Sequence, residues 1–243
     1  MTERPAVEFR PVPSEGRTFT AQRTVRLGDV DSMGELRLDS FARYLQDVAT
    51  DDALAAGLGN AMGWLVRRTM IRFDVAARLN ERVELITFCT GSGRSWAERR
   101  TTLVGAVGAR AEGVSLWVQI DVGSGRPTRL ADEFHRIYGE AAAGRTVSSK
   151  LSLPKPSFDD ATGAPFRFRA TDLDPFGHVN NAAQWAIVES VLQGDGRPRH
   201  GTGELEFLAP APADRDLVVR RDGRMIWLID GDQLLSSLTW TPA

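Results

Sequence analysis

Two polar turns, 143 residues apart, constrain this chain more than any other feature. The first reads Asp29-Val30-Asp31-Ser32-Met33-Gly34 and the second Asp172-Leu173-Asp174-Pro175-Phe176-Gly177. Both have the spacing Asp-x-Asp-x-x-Gly, and a stretch patterned as amphipathic helix follows each. One supersecondary unit is therefore expected twice. The copies part company after the glycine. The first continues Glu35-Leu36-Arg37-Leu38, whereas the second continues His178-Val179-Asn180-Asn181. The fold is duplicated, and the chemistry is expected in one copy only.

The pattern between the turns extends the repeat. Residues 19–27 alternate as a strand. Asp39 is placed to cap a helix over 40–56, with Gly57 as its stop. Phe41, Leu45, Val48 and Leu54 fall near one face of that helix. Strands are expected over 64–73, 82–90, 94–104 and 109–122, separated by glycine turns, and a short helix over 131–143. Residues 144–165 are rich in Ser, Pro and Asp and read as a linker. The second copy then offers a strand over 166–170 and a helix over 182–192, capped by Asn180 or Asn181 and stopped by Gly194. Strands follow over 203–208, 217–221, 225–229 and 234–240, with Asp222-Gly223 as a hairpin signal. Each half is thus a helix followed by an antiparallel meander, an α+β unit whose sheet wraps one helix. The expected divisions are a disordered tail over 1–17, a first unit over 18–143, a linker over 144–164 and a second unit over 165–243.

Composition narrows the function. The chain has 42% hydrophobic and 26% charged residues, as ordinary globular proteins do. Its net charge of −2 gives no electrostatic case for nucleic acid. No run of about 18 apolar residues and no signal-peptide pattern occurs, so neither a membrane span nor membrane association is expected. The one cysteine, Cys89, cannot form an internal disulfide and reads as a buried small apolar residue. A cytoplasmic location is expected. No Gly-x-Ser-x-Gly elbow, Walker motif or dinucleotide fingerprint is present. His135, His178 and His200 do not pair with Cys89 at metal-ligand spacing, so no metal or cofactor is expected.

The run Thr171-Asp172-Leu173-Asp174-Pro175-Phe176-Gly177-His178-Val179-Asn180-Asn181-Ala182, with Trp185 and Glu189 after it, resembles the motif of acyl-ACP thioesterases. The first half is similar through Tyr44-Leu45-Gln46-Asp47-Val48-Ala49 and Trp117-Val118. The resemblance covers residues from Phe19 onward and implies a double hotdog, two tandem units each with an antiparallel sheet around a long helix. It implies hydrolysis of fatty acyl thioesters in fatty acid biosynthesis, with acyl carrier protein or CoA bearing the acyl group, in a monomer or homodimer. Two departures stand out. Phe176 occupies a position where plant members have Asn, and Leu208-Ala209-Pro210-Ala211-Pro212 lacks their acidic residue and cysteine. The chain is more similar to bacterial members and to acyl-CoA hotdog thioesterases, where a carboxylate in the turn does most of the work.

Thioester hydrolysis needs an activated nucleophile, an oxyanion site and a hold on the acyl group. Asp174 is the candidate base or nucleophile, with His178 orienting water or tuning the carboxylate. The backbone N–H groups of Gly177 and His178 are expected to form the oxyanion site at the helix start. Asn180 is expected to cap the helix while bonding the site. Phe41, Leu45, Trp64 and Phe176 are expected to bind the acyl group, together with Met62 and Met70. Asp31 is open to three readings, a vestigial site, a helix cap or a contributor to the pocket. Gln46 and Glu189 occupy equivalent helix positions, again 143 apart, with solvated or core-edge roles as the default. Arg67, Arg68, Arg72, Arg94, Arg99 and Arg100 could receive an acidic carrier, or form a solvated sheet face. A dehydratase or hydratase acting on β-hydroxyacyl thioesters, and a non-catalytic acyl-thioester binder, remain the competing classes.

Overall fold

A computed structural model describes residues 9–58, 63–156, 163–192 and 200–243. The first half contains β1 (Thr18–Thr24), α1 (Leu38–Ala55), β2 (Gly63–Val75), β3 (Arg82–Ser92), β4 (Trp96–Gly105), β5 (Arg110–Ile120) and α2 (Asp132–Ala142). The second contains β6 (Gly163–Phe166), α3 (Ala186–Val191), β7 (Gly201–Phe207), β8 (Leu217–Asp222), β9 (Met225–Asp230) and β10 (Gln233–Pro242). The strands form one sheet in the order β1-β3-β4-β5-β2-β7-β10-β9-β8-β6. That order is a palindrome. Each strand of the first half has its counterpart at the mirrored place in the second, and β2 meets β7 at the seam, antiparallel from Arg68↔Glu206 to Phe73↔Gly201. This is the α+β double-hotdog arrangement expected above.

The helices lie on one face of this sheet. Leu38, Phe41, Leu45 and Val48 of α1 are buried with Ile71, Phe73, Leu85 and Leu103. The same cluster continues into the second half through Trp185, Ile187, Val188, Leu205, Leu228 and Leu238. Burying each large side chain contributes roughly 1.5–3 kcal/mol, so this shared core holds the halves together. The helix sits close to the sheet because Gly113 permits it. A Cβ there would lie 2.5 Å from Leu45 Cδ1.

Three local expectations change. Arg37, not Asp39, stands at the N-cap of α1. Asp39 lies in the first turn and pairs with Arg37 and Arg43, while the Leu38 N–H goes to Glu189 from the other half. The second helix begins with a 3-10 stretch, Asn181–Trp185, and only Ala186–Val191 is α. Asn180 Oδ1 accepts the Ala182 N–H at 2.8 Å, two residues on, which tightens the first turn. Gly194 lies outside the described residues. In place of a strand over 166–170, β6 ends at Phe166 and a 3-10 turn follows at Ala170–Asp172.

On the far face of the sheet, charge is buried in pairs. Arg68 sits between Glu98 and Glu204, and Arg100 pairs with Glu112 at 2.7 Å. Part of the presumed linker covers this face. Arg145 reaches Glu98, Glu206 accepts the N–H groups of Ser152 and Leu153, and Trp227 donates to the Pro154 carbonyl. No helix among the described residues is long and apolar enough to cross a membrane.

Candidate active site

The two turns are congruent bond for bond. Asp31 N–H donates to the Glu35 carbonyl and Asp174 N–H to the His178 carbonyl. Gly34 N–H returns to Asp31, and Gly177 N–H to Asp174, both at 3.0 Å. Both glycines have φ of 76°, which a side chain would strain. The carboxylates also match. Asp31 Oδ1 accepts from Met33 and Glu35, and Asp174 Oδ1 from Phe176 and His178. The Asp-x-Asp-x-x-Gly spacing is therefore turn-building chemistry, with each second Asp folding the loop around one oxygen.

This geometry corrects the oxyanion assignment. The Gly177 N–H is bonded to the Asp174 carbonyl and the His178 N–H to Asp174 Oδ1. Both donors are used inside the turn and are not free for substrate. The structure joins Asp174 to His178 through that backbone N–H. His178 is exposed, Asp174 half-buried, and Asn180 uses its carbonyl oxygen as the cap.

Beside the second turn opens a cavity of about 570 Å³, within the range of small-molecule sites. Ala49, Thr50 and Ala53 of α1 form one wall, and Trp64, Trp117, Phe134 and Tyr138 much of the rest. Pro175 and Phe176 of the turn lie at its edge, and Phe176 is 72% exposed. Of the expected acyl-binding residues, Trp64 and Phe176 line this cavity. Phe41 and Leu45 do not. They face the core, Phe41 stacking on Phe73 with ring centroids 5.4 Å apart and Leu45 pressed onto Gly113. The cavity lies one helical step round α1 from the face that looks most apolar in sequence. Met70 is buried outside the cavity lining, and Met62 lies outside the described residues.

Sequence reading missed the polar end of the cavity. Arg99 lines it and donates to Asp52 Oδ2 at 2.6 Å, while Arg17 holds Oδ1 at 2.7 Å. The Arg99 guanidinium lies over the Tyr138 ring, 5.1 Å from its centroid. Burial pushes the Tyr138 phenol up, with Arg99 opposing the shift. The cluster draws on α1, β4, α2 and the N-terminal segment, so no local motif announces it. Cys89 also lines the cavity. Burial pushes its thiol up, which suits a packing role. Arg68 and Arg100 are buried in ion pairs and Arg99 is tied to Asp52 at the cavity, so these three do not form a carrier-docking surface.

Glu189 sits where the halves meet. It is on α3, yet its Oε1 accepts the Leu38 N–H at the start of α1 at 2.8 Å. Burial pushes its carboxyl up to about 7, Asp39 and Asp31 adding to the shift while the Leu38 N–H and Arg37 oppose it.

A sequence model of the acyl-ACP thioesterase N-terminal domain matches residues 16–138, about half the chain. Uncharacterised proteins from two strains of Mycobacterium tuberculosis are 30% identical over 210 residues, covering 86% of this chain and 84% of theirs. The acyl-ACP thioesterase of Bacteroides thetaiotaomicron superposes with a TM-score of 0.75 at 19% identity, over 92% of this chain and 98% of that one. The 12:0-ACP thioesterase of Umbellularia californica gives a TM-score of 0.72 at 20% identity, over 94% and 99% respectively. At these identities the structural likeness is one of fold.

Proposed function

This chain belongs to the acyl-ACP thioesterase family, and from that premise we propose that it hydrolyses fatty acyl-ACP to free fatty acid and carrier thiol. One observation carries the reading. The turn bearing His178, Asn180 and Asn181, the residues that distinguish the second copy from the first, borders the large apolar cavity through Pro175 and Phe176. The acyl chain lies in that cavity, against Trp64, Trp117 and Phe134, and its thioester carbonyl comes to the turn. Asp174 Oδ1 holds the turn, and Oδ2 takes a proton from the attacking water. His178, exposed beside it, donates to the developing oxyanion or to the leaving thiolate. Asn180 fixes the helix start through its carbonyl and leaves its amide N–H groups for substrate.

Purified protein is assayed against acyl-ACPs and acyl-CoAs of graded chain length, with thiol release followed by a thiol-reactive dye. Turnover of acyl-ACP at a kcat/KM above that of the matching acyl-CoA is expected. Preference for CoA would overturn the carrier assignment. A product that retains its thioester would point to hydratase chemistry instead.

A further inference from the structure

The two helix starts are closed in different ways, and the difference falls on one pair of residues. Glu189 and Gln46 occupy equivalent positions, as do Asn181 and Leu38. Glu189 crosses to the first half and takes the Leu38 N–H directly. Gln46 does not make the matching bond. Together with Asn181, Ala182 and Trp185 it lines a small cavity of about 10 Å³, closed by Ala42, Val66, Thr69 and Ser115. That is about the space one water needs, and a buried water also needs two to four polar partners. The lining is mostly apolar, and Gln46, Thr69, Ser115 and Asn181 are the polar residues in it. Thr69 and Ser115 are partners in the β2–β5 ladder and are both buried. Trp185 is fully buried, and its indole N–H meets no acceptor among the described residues.

The small cavity continues the line of the large one. Ala42, Gln46, Ala49, Thr50 and Ala53 follow one stripe of α1 at helical spacing. The first two line the small cavity and the other three the large one. On β5, Ser115 and Trp117 project from the same face and divide in the same way. The segment from Pro175 to Trp185 borders both. A thioester whose acyl chain fills the large cavity thus brings its carbonyl between that chain and the small chamber.

We propose that the small chamber seats the hydrolytic water, and that Gln46, from the half without the catalytic turn, holds it. The inference rests on the thioesterase reading above. The Gln46 amide oxygen accepts one water hydrogen and the Trp185 N–H donates to the water oxygen, with Thr69 and Ser115 fixing its position. The water oxygen attacks the thioester carbonyl carbon. One water proton passes to Asp174, the carbon–sulfur bond breaks, and the thiolate leaves and takes the proton, giving carboxylic acid and thiol. Gln46 is unchanged throughout. The first half cannot run the same step, because Glu189 already fills the equivalent place.

The test compares wild type, Gln46→Leu, Ser115→Ala and Glu189→Gln on the best acyl thioester, with thermal midpoints measured alongside. Gln46→Leu is expected to lower kcat at least tenfold with KM within twofold and the midpoint within a few degrees. Ser115→Ala is expected to lower kcat less, and Glu189→Gln to leave it within twofold. Added hydroxylamine, a nucleophile that does not need the seat, is expected to restore part of the acyl release in Gln46→Leu. A folded Gln46→Leu enzyme with wild-type kcat would overturn the water seat alone. A wild type that turns over no acyl thioester would overturn the thioesterase reading with it.

Discussion

At the scale of the residue, Asp31 and Asp174 do the same structural work, so stability separates from chemistry by comparing them. Each accepts two backbone N–H groups through one oxygen. Removing either acceptor should cost on the order of 1–3 kcal/mol. Asp31→Ala and Asp174→Ala are therefore expected to lower the thermal midpoint by similar amounts, while only the second abolishes hydrolysis. His178→Ala should behave in the opposite sense, with an unchanged midpoint and kcat reduced by roughly 100-fold. Equal activity in the His178 variant and wild type would remove His178 from the mechanism. The duplicated spacing makes both turns legible in the sequence. What it concealed was that Asp174, Gly177 and the His178 N–H spend their hydrogen bonds on one another, because a motif fixes which groups are near and not which are already satisfied. Arg99, Asp52 and Tyr138 were hidden for another reason. Long sequence separation divides them, so no local pattern places them together.

Among the elements, α1 and α3 are tied by a bond that no local signal predicts. Capping rules look for a Ser, Thr, Asp or Asn just before the helix, and Asp39 met that description. The Leu38 N–H instead finds Glu189, 151 residues away. The strands were more legible, because alternation and glycine turns are local properties. The second helix was less so, since its Asn180 cap winds it first as 3-10. The cross-helix bond has a pH signature. Glu189 titrates near 7 in the fold, against about 4.5 for an ordinary Glu. Between those values the native state binds more proton than the unfolded chain, so stability is full below about 4.5 and falls as pH rises toward 7. Glu189→Gln keeps an acceptor for the Leu38 N–H and cannot ionise. Its thermal midpoint is expected to match wild type near pH 4.5 and to exceed it at pH 8. A midpoint difference that stays constant across that range would mean that Glu189 does not carry a raised pKa.

The whole molecule divides its labour along the β2–β7 seam. The palindromic sheet gives each half a helix, a turn and a meander, yet the large cavity is built almost wholly from the first half and only bordered by the second through Pro175 and Phe176. An enzyme arranged this way should have its chain-length preference set by residues remote in sequence from its chemistry. Ala53 tests this, since it lines the cavity from α1 and belongs to neither turn. An indole at that position occupies space that the distal part of a long acyl chain would take, while leaving the thioester end free. Ala53→Trp is therefore expected to lower kcat/KM for a dodecanoyl thioester by about tenfold or more, mostly through KM, and to leave a butanoyl thioester within twofold. The thermal midpoint should change little, because the side chain enters existing space and not packed core. If both substrates fall together, the indole disturbs the turn and the halves are not independent in this sense. If neither changes, the acyl chain does not lie in the first-half cavity, and the wall it packs against must be sought on the second half.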